Sequence, residues 1–459
     1  MSPAPEWRQV RNQKKGNRNM AFSLHGIHVP HRKNTLAGQA VRMDAPQTVT
    51  IPLSMHIGVP AKAIVKVGDT VKIGTKIAEA GGAISAPIHA SVSGKVVKIQ
   101  DFLLSDGSTV PAIVIESDGE MASDESMVPP TITSREELID AIRESGVVGL
   151  GGAGFPTHFK LDVDPERIEH LVINCAECEP YITSDSYTML TRREDMAYAL
   201  NILKQQLGIK SIIIGVESNK KDAISSMMQL MLNTMEGCTV QVKVLPSAYP
   251  QGGEKVLVYH TTGKIVPEGK LPIDVGCIVL NCTTLACLGT YFKTGMPLVE
   301  KCVTVDGGAI KQPQNVIAPI GSSIADVIAA CQGLTTDPAK LIYGGPMMGI
   351  TVPDLNAPIL KNTNAVLALT EKQAWLPKTT ACIRCGACAN ACPFHLMPAD
   401  ILRAYQNKDV ERLNELSVLS CMECGCCSFV CPANRPLVQT NKLSKALIKE
   451  ERAKEENKA

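Results

Sequence analysis

Aromatic residues are scarce. Phe, Trp and Tyr make up 4% of the 459 residues, too few for the stacked platforms that grip single-stranded nucleic acid. An excess of either charge is missing too: 46 Lys and Arg face 45 Asp and Glu, a net of +1, so nothing draws the chain to a polyanion. No run approaches the length of apolar sequence that a membrane-spanning helix needs. The N-terminus is basic (Arg8, Arg11, Lys14, Lys15, Arg18) but has no apolar stretch behind it, so it does not read as a signal peptide. It reads as a frayed arm, or as a segment that docks on an acidic partner or a membrane surface.

Cysteine, by contrast, is plentiful, with 17 residues. With no secretory signal, so many thiols point to a reducing compartment and away from disulfides. Eight of them form two copies of one spacing. Cys382, Cys385, Cys388 and Cys392 read C-x2-C-x2-C-x3-C before Pro393, and Cys421, Cys424, Cys427 and Cys431 repeat it before Pro432. This is the bacterial run that binds two 4Fe–4S clusters, in which the fourth cysteine ligates the other cluster. One cube therefore takes Cys382, Cys385, Cys388 and Cys431, and the second takes Cys421, Cys424, Cys427 and Cys392. Crossed ligation sets the clusters close enough for electron exchange. Small residues (Gly386, Ala387, Ala389; Gly425) let backbone N–H groups reach the cluster sulfurs. Zinc sites pair two cysteines and then leave a long gap, which these runs do not. Cys426 is a bystander beside a ligand. The other eight (Cys175, Cys178, Cys238, Cys277, Cys282, Cys287, Cys302, Cys331) are scattered and read as buried small hydrophobes.

Length and pattern imply a multidomain α/β chain. Residues 1–45 form an arm and a short opening. Residues 46–125, rich in Val, Ile, Gly and Pro, alternate like short strands joined by tight turns such as Gly68-Asp69. They resemble the lipoyl/biotinyl β-sandwich, but the hairpin Glu79-Ala80-Gly81-Gly82-Ala83 lacks the Lys that would carry a swinging group. A polar linker (Ser117 to Thr133) leads to Ser134-Arg135-Glu136-Glu137, a capping-box helix start. In residues 126–292, buried parallel-type strands (171–173, 211–216) alternate with helices (197–207, 222–232), the mark of a mostly parallel α/β sheet. Residues 293–365 suit a small β-grasp unit, with a hairpin at 303–310, a helix at 323–331 and a sharp loop at 344–349. Residues 366–440 hold the cysteine runs, bridged by helices at 399–405 and 409–416. A charged tail, 441–459, follows.

A second signal is the glycine-dense Gly149-Leu150-Gly151-Gly152-Ala153-Gly154-Phe155-Pro156-Thr157. Such a loop lets backbone amides approach a phosphate or a flat ring; a plain flexible loop is the bland alternative. Gly149, Gly151 and Gly154 fall at G-x-G-x-x-G spacing, but no evident strand precedes them, so the loop does not read as the dinucleotide fingerprint. Asn174 to Pro180 sits at a strand's carboxyl end, where α/β sheets bind ligands. Its two carboxylates suit ribose hydroxyls or an amide, or else a solvated turn.

Gly149 to Thr157, Lys160 and Asn174 to Pro180 resemble the FMN- and NADH-binding flavoprotein subunit of respiratory complex I. Tyr249-Pro250-Gln251-Gly252-Gly253-Glu254-Lys255 and Asn281 to Ala286 match two further loops of it. The order of lipoyl-like module, Rossmann-like FMN/NADH domain, SLBB-like β-grasp domain and helical two-cluster ferredoxin-like domain is similar to RnfC, the NAD-reactive subunit of Rnf ferredoxin:NAD+ oxidoreductases. His25-Gly26-Ile27-His28-Val29-Pro30 resembles that family's opening, and the likeness runs from about residue 20 to the end.

The resemblance implies non-covalent FMN held by Gly149, Gly151, Gly152, Gly154, Lys160 and Asn174. Gly253 and Glu254 complete the pocket, and Asn281 and Thr284 lie near the phosphate. It implies NAD(H), with Glu179 and Glu177 at the nicotinamide end and Phe155 stacking on the adenine side. Ala176 and Lys255 depart from the complex I pattern, so those two contacts are not inherited. His28 and His31 read as structural. FMN exchanges two-electron hydride and single electrons, so hydride passes to or from flavin and no side chain need act as acid or base. The resemblance further implies a peripheral place on the cytoplasmic face of a cell membrane. The partners would be integral membrane subunits, an iron–sulfur donor subunit and, indirectly, ferredoxin, with the redox reaction coupled to ion translocation. Two rivals stand beside it: a PduS-like cobalamin reductase of a microcompartment, and a non-catalytic electron-wiring scaffold.

Overall fold

The computed structural model describes residues 26–35, 39–105, 107–234 and 236–456. The basic arm with Arg8, Arg11, Lys14, Lys15 and Arg18, and His25, lie outside the described residues. Among those described, no helix is long and apolar enough to cross a membrane.

The first module is a β-sandwich. One antiparallel sheet orders strands Thr48–Pro52, Thr109–Ser117, Gly94–Leu103 and Thr70–Val71; a second holds Lys62–Ala63, Lys76–Glu79 and Ile88–His89. Period-two burial drives it: Val49 opposes Ile115 and Ile51 opposes Ile113, and all four are fully buried. The polar stretch after it is no loose linker. Ile73 N donates to Ala122 O (2.9 Å) and Thr75 Oγ1 donates to Asp124 Oδ2 (2.6 Å), so the segment is strapped to the sandwich.

The α/β domain opens with helix Arg135–Glu144, whose Ser134 and Glu137 form the expected capping box. Its sheet is wholly parallel, in the order Thr239–Leu245, Ser211–Glu217, His170–Cys175, Cys277–Asn281. Leu171, Val172 and Ile173 are fully buried because helices cover both faces. The expected helices appear at Arg193–Leu207 and Lys221–Leu232, joined by Glu254–Thr262 and Cys282–Thr294.

The β-grasp sheet has six strands: Val41–Arg42, Gln314–Pro319, Glu300–Asp306, Ala365–Leu369, Lys340–Tyr343 and Ile350–Val352. It takes Val41–Arg42 from the opening, and Ala365–Leu369 starts where the sequence pattern set this unit's end. Helix Ile324–Ala330 packs on it. In the last unit, helices Pro398–Gln406 and Val410–Glu415 separate the cysteine runs, and the 20-residue helix Leu437–Glu456 is the last described element. A fully buried lysine joins the first two modules: Lys361 Nζ donates to Pro87 O (2.6 Å) in the sandwich and to Gly146 O (2.7 Å) in the α/β domain.

Helix Cys282–Thr294, which carries part of the site, is held flush against the start of Arg193–Leu207. A Cβ on Gly289 would lie 1.9 Å from Asp195 O. Gly289→Ala is therefore expected to destabilise the protein by about 1–3 kcal/mol through overpacking. The thermal unfolding midpoint reads this directly, and an unchanged midpoint would show that the two helices separate freely.

Candidate functional site

Three of the four parallel strands run into the site. At the sheet's carboxyl edge, the start of helix Cys282–Thr294 meets the glycine loop, and Asn174, at the end of His170–Cys175, meets Gly252 in the loop after Thr239–Leu245. The glycine loop is pinned at its base: Gly149 N donates to Phe155 O (2.8 Å) and Leu150 N to Thr284 Oγ1 (2.9 Å). Its tip, Gly151-Gly152-Ala153, is exposed. Among the described residues, those three amides donate to no protein acceptor. A Cβ on Gly151 would meet Asn281 Nδ2 at 2.5 Å, whereas beside Gly152 nothing lies within 4 Å. Asn281 caps the helix that follows, its Oδ1 accepting from Thr283 N (2.9 Å) and Thr284 N (3.2 Å). Free amides beside a helix N-terminus form an anion cradle, so the residues present fit a flavin phosphate.

Most of the expected FMN residues are tied together. Asn174 Nδ2 donates to Gly252 O (2.9 Å). Lys160 Nζ donates to Glu254 Oε1 (2.6 Å) and to Val279 O (2.8 Å). A Cβ on Gly253 would sit 2.2 Å from Met422 Cε, which brings the flavin-domain loop against the second cysteine run. Phe155 is half-buried and meets Phe159 edge-on, ring centres 5.9 Å apart.

The two carboxylates after Asn174 differ from expectation. Glu177 is buried, and its oxygens accept from Asp185 N (2.7 Å), Ser186 Oγ (2.6 Å) and Lys220 Nζ (2.8 Å), with Lys33 Nζ at 3.9 Å. Burial raises its pKa, but Lys220 and Lys33 outweigh burial and hold it below the usual carboxylate range. Glu177 is thus an internal counter-charge, turned toward Lys220 and Lys33 and buried away from solvent. Glu179 turns toward the β-grasp unit, accepting from Met347 N (3.3 Å) and Met348 N (2.8 Å). Burial pushes its carboxyl up to about 7.

Sequence reasoning passed over the groups that hold this loop. Lys33 Nζ donates to Glu177 O (2.9 Å), Glu179 O (2.8 Å) and Ile182 O (2.5 Å). Asp185 accepts from Asn281 Nδ2 (2.8 Å) and Thr283 Oγ1 (2.6 Å). The only hint of Lys33 was its place in the opening segment, whose Ile27 pairs with Tyr249. His31 lies 3.2 Å from Ser247 Oγ, a structural contact, while His28 is exposed.

The cysteine runs interleave. Cys392 lines one cavity with Cys421, Cys424 and Cys427, and Cys431 packs with Cys388. Glu423 N and Asn441 Nδ2 each donate to Cys421 Sγ at 3.4 Å. Four thiols around one cavity, with N–H donors aimed at sulfur, fit an iron–sulfur cube. Cys382 and Cys385 are exposed. Cys426 lines the same cavity as the second set and turns its Sγ toward Tyr249 O (3.9 Å).

Four family models match the chain: an RnfC barrel sandwich hybrid domain over residues 22–120, a Nuo51 FMN-binding domain over 142–290, an SLBB domain over 302–351 and a 4Fe-4S dicluster domain over 375–432. The C-subunit of the Na(+)-translocating ferredoxin:NAD(+) oxidoreductase complex of Acetobacterium woodii is 40% identical over 435 residues, covering 94% of this chain and 97% of its own. Its counterpart in the proton-translocating complex of Clostridium ljungdahlii is 41% identical over 425 residues, 90% of this chain and 91% of its own. The counterpart in the ion-translocating oxidoreductase complex of Rhodobacter capsulatus is 38% identical over 441 residues, 95% and 85%.

Glu177→Gln would leave Lys220 and Lys33 short of a buried counter-charge. It is expected to cost about 3–5 kcal/mol, read as a lower thermal midpoint. An unchanged midpoint would show that the two ammonium groups do not depend on Glu177. Glu179 binds a proton more tightly folded than unfolded, so its contribution is present at low pH and lost as pH rises through about 7. Glu179→Gln should flatten that part of the stability–pH curve, and an unaltered slope would assign it to another group.

Proposed function

The chain belongs to the RnfC family, and from that premise we propose that it is the NAD-linked iron–sulfur flavoprotein subunit of an ion-translocating ferredoxin:NAD+ oxidoreductase complex. It would exchange hydride with NAD+/NADH at FMN and single electrons through two 4Fe–4S clusters, from a peripheral position on the cytoplasmic side of the membrane subunits. An iron–sulfur subunit is its electron partner, with ferredoxin the indirect source.

One observation carries the reading: the flavin-domain loop and the second cysteine run are in contact. Tyr249 OH donates to Cys424 O (2.7 Å), and Met422 fills the space that a side chain on Gly253 would take. When bound, FMN supplies the change from two-electron hydride transfer to one-electron flow. The chain's own residues do the positioning. The amides of Gly151, Gly152 and Ala153 and the helix start at Cys282 would hold the phosphate, and Lys160, Asn174, Gly253 and Glu254 would complete the flavin pocket. Cys421, Cys424, Cys427 and Cys392 form the inner station of the relay, beneath the flavin loop. Cys382 and Cys385, exposed and partnered by Cys388 and Cys431, form the outer one that faces the electron partner. Burial and N–H···S bonds, as at Cys421, tune the inner station. A cobalamin reductase gains no support from the relatives named above, and the free amides and intact contact argue against a dead flavin pocket.

Anaerobic titration with NADH tests this. The flavin bands should bleach first and the broad iron–sulfur absorbance should then fall. Cys424→Ser should keep the bleaching and abolish reduction of the outer station, followed by electron paramagnetic resonance. If NADH bleaches nothing while dithionite reduces the clusters, the nucleotide site is elsewhere. If Cys424→Ser still passes electrons outward, the inner and outer assignments are reversed.

A further inference from the structure

A cavity of about 610 Å³ lies where the sandwich, the α/β domain and the β-grasp sheet meet. Its size is that of a small-molecule site. It is separate from the flavin cradle. On helix Cys282–Thr294, Thr284 faces the glycine loop, whereas Thr283, Cys287 and Thr290 line this cavity.

The cavity is built around one unexpected side chain. Lys301 sits on strand Glu300–Asp306, opposite Ala318, and alternates onto the same face as the fully buried Val303 and Val305. That face calls for an apolar residue. Lys301 is only 3% exposed and lines the cavity. Among the described residues, its ammonium has no hydrogen-bond or ion-pair partner. Burial lowers its pKa, against the pull of Cys287 and Asp185. Several other polar groups nearby are already engaged. Arg192 donates to Ala286 O (3.1 Å) and Thr290 Oγ1 (2.5 Å), Thr188 Oγ1 pairs with Thr283 Oγ1 (2.9 Å), and Arg42 pairs with Glu300. Much of the remaining wall is apolar, including Ile73, Met121, Met296, Leu298 and Ile317.

We propose that this cavity binds a small organic anion with an apolar body, its carboxylate or equivalent group paired with the Lys301 ammonium. An unpaired buried ammonium is unfavourable, and an incoming anion supplies the partner that the chain withholds. The apolar walls have nothing to replace the water around a bare inorganic ion, so they favour a ligand with a hydrocarbon part. The protonated amine is the form that binds, so affinity falls as pH rises through the amine's titration.

Calorimetry on the complete, cofactor-loaded protein, kept anaerobic, tests this with octanoate, 1-octanol and inorganic phosphate as probes. Octanoate should bind once per chain, and octanol and phosphate each about tenfold or more weaker. Lys301→Met should bring octanoate down to the octanol level, and Lys301→Arg should restore most of the loss. Octanoate binding equally to the Met variant, or not at all to the wild type, would overturn the proposal; phosphate binding as well as octanoate would overturn its apolar part. Should the Met variant fail to fold, the wild type decides. Octanoate should protect Lys301 from acetylation by acetic anhydride, read by peptide mass spectrometry, and no protection would sink the idea.

Discussion

The segment from Ala176 to Ile182 would not hold its shape without the cations beneath it. It turns three backbone carbonyls inward, at Glu177, Glu179 and Ile182, and Lys33 meets all three. It also buries the Glu177 carboxylate, which Lys220 and Lys33 neutralise. A buried charge with fewer partners would be strongly destabilising. Every neighbouring element is set against this loop. Asn174 at its start reaches Gly252, Glu179 holds the 347–348 amides of the β-grasp unit, and Asp185 just beyond it fixes Asn281 and Thr283.

The same constraint ties the two kinds of redox site together. Tyr249 bridges Ile27 of the opening segment and bonds the backbone of the second cysteine run. The opening segment thus fastens the flavin loop from one side while the cysteine run closes it from the other. The result is a short path made of packed backbone and not of a flexible tether, and packed contact keeps redox centres at a constant separation. Lys361, gripping carbonyls of two modules, does for the sandwich what Lys33 does for the flavin loop. Lysine is used repeatedly here as an internal clasp, each time for carbonyls that the loops turn away from water.

Strands and helices with clean periodicity were legible. The strands around 171–173 and 211–216 and the helices ending at Leu207 and Leu232 were evident from buried runs and 3.6-residue spacing. The stretch from Ser117 to Thr133 reads as a polar linker; what the sequence did not show is that Ala122 and Asp124 tie it to Ile73 and Thr75 of the sandwich. The strand at Val41–Arg42 carried no local signal, since its partner lies at Val316–Ile317. Of the proposed site, the glycine loop, Lys160, Asn174 and Asn281 were candidates from the sequence, and the structure gathers them at one edge of the parallel sheet. The buried role of Glu177 was not, since a carboxylate in a polar turn looks the same in sequence whether it faces water or two ammonium groups.

By itself, the sequence determined the chemistry that depends on residue type at fixed short spacing. Cluster ligation needs thiols within a few residues of one another, and phosphate binding needs consecutive small residues with free amides, so both are written locally. Tertiary structure alone decided which carboxylates stay free, which lysines become clasps, and that the inner cysteine run lies under the flavin loop. Those outcomes rest on contacts between residues far apart in the chain, 144 positions for Lys33 with Glu177, 175 for Tyr249 with Cys424 and 274 for Lys361 with Pro87. No local pattern encodes a partner at that distance, because the pairing exists only once the domains have packed.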